Sequence, residues 1–115
     1  MTDVVVFEKP TCTTCRQLAQ ILAELGVDAE RIDYQVFGLT EAQIHEIVMK
    51  TGLPVHDLLR TREPEYKELV EGKDLSDADI VALMIDHPVL LQRPVVIRGD
   101  RAVLARPAEK VRELF

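Results

Sequence analysis

The only two cysteines of the 115-residue chain fall in the stretch Glu8 to Leu22, EKPTCTTCRQLAQIL, with Arg16 directly after the second. Thiols spaced this way can form a redox pair, contribute to a metal site, or act as apolar filler. A thiol attacks only as the thiolate, and its pKa of about 8.5 falls at a helix N-terminus or beside a cation. Cys12 stands where a strand gives way to a helix. The unpaired N–H groups of the first turn and the positive end of the macrodipole therefore face its sulfur. Arg16 follows at i+4, one helical turn on, close enough to add a positive charge. Cys15, at i+3, is on the same side of the helix, in reach of a disulfide or of a mixed disulfide formed on Cys12. Cys12 is the natural nucleophile, Cys15 the natural resolving thiol and Arg16 the nearby activating cation.

The competing readings are weaker. Both cysteines lie at the polar mouth of the helix and ahead of its apolar stripe, which argues against filler. A structural zinc site needs two further ligands, yet His45, His56 and His87 occur singly, without paired spacing. The phosphatase-like loop, which grips an oxyanion between a cysteine and a downstream arginine, is excluded because Leu18 stands six positions after Cys12. A C-x-x-C between a strand and a helix, in a βαβ setting, is a thioredoxin-like signal.

The elements that must hold these thiols are readable in outline. Val4 to Phe7 is short, continuous and β-branched, as a buried strand is. Lys9-Pro10-Thr11 breaks it. The period then turns helical, with Leu18, Ile21, Leu22 and Leu25 on one face and Gly26 as the C-cap. Ile32 and Tyr34 alternate with charge in DAERIDY, which predicts a second strand, followed by loop residues Phe37 and Gly38. Thr40 and Gln43 form a capping-box pattern ahead of Ile44, Ile47 and Val48, and that helix ends at Gly52. Two short amphipathic helical pieces follow, Pro54 to Arg60 and Glu63 to Gly72. Ser76 caps a helix that stops at Pro88. A hairpin closes the sheet, with strands Pro94 to Ile97 and Ala102 to Ala105, and Pro107 starts a short terminal helix.

This order predicts an α/β fold. It is a mixed four-stranded sheet with flanking helices, in which a right-handed crossover makes one parallel pair and the hairpin adds antiparallel strands. Residues 1–115 are expected to form a single domain, with a helical insertion at about 40–90 between strands 2 and 3.

Hydrophobic residues make up 47% of the chain and charged residues 30%, as in a soluble globular protein. The longest apolar runs are strand-sized, so no membrane span is expected. MTDVVVFEKP lacks a basic flank followed by a long apolar segment, so no secretory signal is expected. Two cysteines this close do not staple a secreted domain, and a cytoplasmic setting is expected. The net charge of −6 argues against direct nucleic-acid binding while leaving room for a local positive pocket.

Four segments carry a family resemblance. CTTCR near the N-terminus, LLRTREPEYKEL in the middle, DHPVLLQRPVVI and the late ARPAEKV together resemble the glutaredoxin-linked arsenate reductase (ArsC) family, which includes the Spx-type regulators. The resemblance covers the full chain. It implies a thioredoxin fold with a helical insertion and a cis-proline, Pro94, facing the thiol. It also implies that Arg60, Arg93 and Arg106 converge on Cys12 and hold an oxyanion. Planar guanidinium forks suit a doubly charged tetrahedral oxyanion such as arsenate, and three cations depress the pKa of the thiol. Arg62 and Arg98 have no such support and are expected to be surface charges. The chain departs from the family pattern at Glu8, where a histidine is usual, and at Cys15, where a serine is frequent. A carboxylate pointing inward at position 8 would raise a neighbouring thiol.

The resemblance implies two functions. One is an arsenate reductase in which Cys12 attacks the bound oxyanion and Cys15 or an external thiol resolves the adduct. The electrons then come from glutathione and glutaredoxin or from thioredoxin, since the sequence carries no motif for a bound redox cofactor. The other is an Spx-type regulator that docks on RNA polymerase and senses oxidants through Cys12 and Cys15. A monomer suffices for either.

Overall fold

The computed structural model describes residues 3–115. Four strands, β1 (Val4–Glu8), β2 (Glu30–Asp33), β3 (Val95–Arg98) and β4 (Arg101–Leu104), form one sheet in the order β2-β1-β3-β4. β1 runs parallel to β2, with Phe7 opposite Ile32. It runs antiparallel to β3, with Phe7 opposite Val95, and β3 and β4 form the expected hairpin.

Strand alternation separates two cores. Val4 and Val6 of β1 and Val96 of β3 pack on one face against Leu18, Ile21 and Leu22 of helix α1 (Thr13–Glu24). Val111 and Leu114 of the terminal segment complete that layer. Phe7, Val95 and Ile97 point to the other face. There they meet Ile44 and Ile47 of α3 (Glu41–Thr51) and Ile80 and Met84 of α5 (Asp77–Asp86). Each fully buried Leu or Ile contributes about 1.5–3 kcal/mol relative to its exposed state. Among the described residues, no helix is long and apolar enough to cross a membrane.

The chain between β2 and β3 is helical, as expected, and its N-caps follow the sequence. Thr40 accepts from the Gln43 N–H and Ser76 from the Asp79 N–H, each returned as a capping box. Gly52 ends α3 with φ +73°, a left-handed position that a side chain disfavours.

Several boundaries differ from expectation. Tyr34 does not continue β2. It opens the short helix α2 (Tyr34–Phe37), which takes in Phe37 as well, because Asp33 turns the chain by accepting from the Gln35 N–H at 3.2 Å. The piece from Pro54 is a 3-10 turn over Val55–Leu58, after which Leu59 is extended. α4 spans only Pro64–Leu69. The hairpin strands are each displaced by one residue, since Pro94 has no N–H for the ladder. The C-terminal segment Ala108–Leu114 is a 3-10 helix. Arg98 is more than a solvated charge: it donates to the Leu114 carbonyl and lies 4.7 Å from the Phe115 ring centroid.

Candidate active site

Cys12 is the N-cap of α1. Its N–H donates to the Lys9 carbonyl at 2.9 Å, closing the turn that Pro10 begins, and its carbonyl accepts from the Arg16 N–H. The thiol is part-exposed, whereas Cys15 is fully buried, and both are free. Burial alone would raise the Cys12 pKa. Backbone N–H groups of Cys15 and Thr14, the Cys15 thiol and the Arg93 charge outweigh it, so the pKa lies below the ordinary thiol value. Cys15 is pushed the other way, up to about 12, first by burial and then by its interaction with Cys12 and the charge of Glu8, against a lowering contribution from the Lys9 backbone. One thiol therefore ionises more readily than an ordinary cysteine, while the other keeps its proton and donates toward it.

A cavity of about 270 Å³ opens over Cys12 and is lined by Lys9, Arg60, Arg93 and Arg106 together with Thr11, Thr13 and Thr14. These arginines come from three separate segments. Arg60 follows the 3-10 turn, and its N–H donates to the Leu90 carbonyl at 2.7 Å; Gln92 returns an N–H to the Leu58 carbonyl at 2.8 Å. An isolated antiparallel bridge between Leu59 and Leu91 links the two segments. That short pairing brings Arg60 and Arg93 into one wall despite their distance in sequence. Arg106, just past β4, donates from Nη1 to the Arg93 carbonyl at 2.9 Å. Pro94 is buried next to Arg93, and the Arg93–Pro94 and Arg106–Pro107 peptide bonds are cis.

Arg93 is the most deeply placed of the three, at 5% exposure. Burial disfavours its charge, yet the Tyr34 hydroxyl and Cys12 more than compensate, and its pKa is raised. Its Nε and Nη1 are buried without a hydrogen-bond partner. Two donors of this buried guanidinium are thus left unanswered by the protein, beside a thiol whose pKa is lowered.

Arg16 is placed elsewhere. It is exposed and lines a neighbouring cavity with Glu8, Pro10 and Arg31. Glu8 is buried at 4% exposure and accepts from Arg31 Nε at 2.8 Å, and its charge acts on Cys15. Arg62 is exposed and lies outside the Cys12 cavity. Among the described residues, no group of three or more His, Cys, Asp or Glu is placed to hold a metal ion.

Two residues of the site were not singled out from the sequence. Tyr34, buried completely, donates from its hydroxyl to the Leu91 carbonyl at 2.7 Å and so braces the segment that carries Arg93. Glu63 accepts from Arg60 Nε at 2.6 Å and lies 3.8 Å from Arg93 Nη2. An acid three residues after Arg60 and directly before Pro64 was the available signal for Glu63.

A thioredoxin-like fold with one activated thiol beneath an arginine-lined cavity defines the class. The chain belongs to the ArsC family, whose family model matches residues 7–114. The chain is 30% identical to an arsenate reductase of Haemophilus influenzae, over 98% of this chain and 99% of that protein. It is also 30% identical to the uncharacterised protein YfgD of Escherichia coli K12, over 97% and 96%. The solved structure of an arsenate reductase from Vibrio cholerae superimposes with a TM-score of 0.93 at 32% identity, covering 97% of each chain.

Proposed function

We infer that the protein is an arsenate reductase in which Cys12 is the nucleophile and Arg60, Arg93 and Arg106 hold the oxyanion. The observation that carries this reading is the cavity over Cys12, lined by Arg60, Arg93 and Arg106, above a thiol whose pKa is lowered. A tetrahedral oxyanion there is met by three guanidinium groups, and the charge that develops on the adduct meets fixed cations. Arsenate reductases among the relatives support arsenate as the substrate.

The reaction proceeds in balanced steps. The Cys12 sulfur bonds to arsenic(V), and one oxygen leaves as water after protonation. A second thiolate then attacks the Cys12 sulfur. The S–As bond breaks and its electron pair stays on arsenic, which departs as arsenite while the two sulfurs are oxidised to a disulfide. Cys15 is buried and protonated, its pKa raised to about 12, so the first resolving attack falls to an external thiol such as glutathione. Cys15 meanwhile holds a hydrogen toward the Cys12 sulfur. An external reductant, glutaredoxin or thioredoxin, then returns Cys12 to the thiol.

The arginine-lined cavity favours this reading over a redox regulator, since a docking protein has no need of three cations around its thiol. Arsenite formation coupled to NADPH oxidation tests it, with glutathione and glutaredoxin or with thioredoxin and its reductase. The native chain turns over, Cys12→Ser abolishes turnover, and Cys15→Ser retains most of it with glutathione. Absence of arsenate-dependent turnover by the native chain in both systems overturns the reading.

A further inference from the structure

Two of the arginines that line the cavity already share one negative charge behind it. Glu63, the residue that precedes α4, sends its carboxylate between two of the three arginines, with Oε1 at 2.6 Å from Arg60 Nε and 3.8 Å from Arg93 Nη2. Its side chain is 20% exposed, those of Arg60 and Arg93 26% and 5%, so this contact is largely shielded from solvent. Glu63 is met by Arg60 Nε and Arg93 Nη2, whereas Arg93 Nε and Nη1 have no hydrogen-bond partner.

Two guanidinium groups brought this close repel each other, and more strongly inside a protein than in water. A carboxylate between them removes that repulsion and fixes which nitrogens turn toward the cavity. The backbone anchors the carboxylate in turn. The Glu63 carbonyl accepts from the Tyr66 N–H at 3.0 Å in the first turn of α4, and the Glu63 N–H donates to the Arg60 carbonyl at 3.4 Å. The anchor of the charge and the anchor of Arg60 are therefore one turn of chain.

We propose that Glu63 is a positioning residue of the oxyanion site. It acts as the resident counter-ion that aims Arg60 and Arg93 at the anion and sets the net positive charge felt by Cys12. The proposal rests on the oxyanion reading of the cavity. Its consequence is a division of labour: charge and position are carried by one side chain and can be separated by two substitutions. Glu63→Gln keeps an oxygen to accept from Arg60 and loses the charge. Glu63→Ala loses both.

The test is the rate of Cys12 alkylation by iodoacetamide against pH, with and without arsenate as protecting anion, on the native chain, Glu63→Gln and Glu63→Ala. It reads the thiol and the anion directly, whether or not arsenate is ever reduced. Removing a negative charge favours the thiolate, so both variants are expected to lower the alkylation midpoint by about half a pH unit. A merely structural loss would move it upward, toward an ordinary thiol. Arsenate is expected to protect Glu63→Gln at least as well as the native chain, and Glu63→Ala about tenfold less well than Glu63→Gln. Midpoints that stay in place or rise in Glu63→Gln, which preserves shape, overturn the proposal, as does equal protection of the two variants. If arsenate does not protect the native chain, the oxyanion reading itself fails, and that result is distinct from either.

Discussion

Arg106 is fastened to the backbone of Arg93: its Nη1 donates to the Arg93 carbonyl at 2.9 Å. The hairpin that carries Arg106 thus closes onto the loop that carries the buried guanidinium, and the third wall of the cavity is held by the second. Arg106→Lys retains a charge but gives up the fork. It is expected to weaken arsenate protection of Cys12 about tenfold, with a stability loss of no more than about 1 kcal/mol in urea unfolding.

The two thiols respond oppositely to pH. The Cys12 pKa is lowered, so its thiolate appears at a pH below that of an ordinary thiol and its alkylation rate reaches its midpoint there. Cys15, raised to about 12, resists the reagent through neutral pH while the chain is folded. Peptide mapping after brief alkylation at pH 7 is expected to find label on Cys12 only. Because the Arg93 charge lowers the Cys12 pKa, Arg93→Met moves the midpoint upward.

The same raised value has a stability consequence. A thiol whose folded pKa exceeds its unfolded one releases its proton more readily when unfolded. Its contribution is complete below the unfolded value of 9.0 and is lost as pH rises toward about 12. Cys15→Ala removes this contribution, so its unfolding midpoint is expected to fall less steeply than that of the native chain between those limits.

Tyr34 links the fold to the site: its hydroxyl donates to the Leu91 carbonyl at 2.7 Å, fully buried, and supports the charge of Arg93. Tyr34→Phe leaves that carbonyl unanswered and is expected to cost about 1–3 kcal/mol. The loss reaches function as well, because Leu91 pairs with Leu59 and Arg60 and Arg93 lie just beyond that bridge. A raised KM for arsenate accompanies the lower Tm.

Glu8 presents a buried carboxylate whose partner, Arg31, is part-exposed. Arg31→Met strands that charge and is expected to destabilise the chain by about 2 kcal/mol. Adding Glu8→Gln is expected to recover most of the loss, a double-mutant cycle that thermal unfolding can close.

Much of this architecture was legible in the sequence, for identifiable reasons. The β-branched run at Val4, the Cys12 break, the Thr40 and Ser76 caps and the hairpin around Gly99 are local signals, and local chemistry decides them. Tyr34 escaped because alternation with Ile32 reads as strand, whereas the Asp33 side chain turns the chain first. Arg16 sits one turn from Cys12 in sequence, but α1 presents it to a neighbouring cavity. The cation that lowers the Cys12 pKa is Arg93, delivered from far along the chain by the Leu59–Leu91 bridge. Long-range pairing of that kind leaves no periodic trace.

The Cys12 sulfur is the atom expected to take arsenic. The most direct measurement uses Cys15→Ser, in which a mixed disulfide cannot be passed to a neighbouring thiol. The variant is incubated with arsenate and glutathione, without glutaredoxin, and followed by intact mass, peptide mapping and arsenite release. Glutathione is expected on Cys12, dependent on arsenate, with arsenite released in equal amount. Arsenite without modification of Cys12, or glutathionylation that proceeds as well without arsenate, contradicts it.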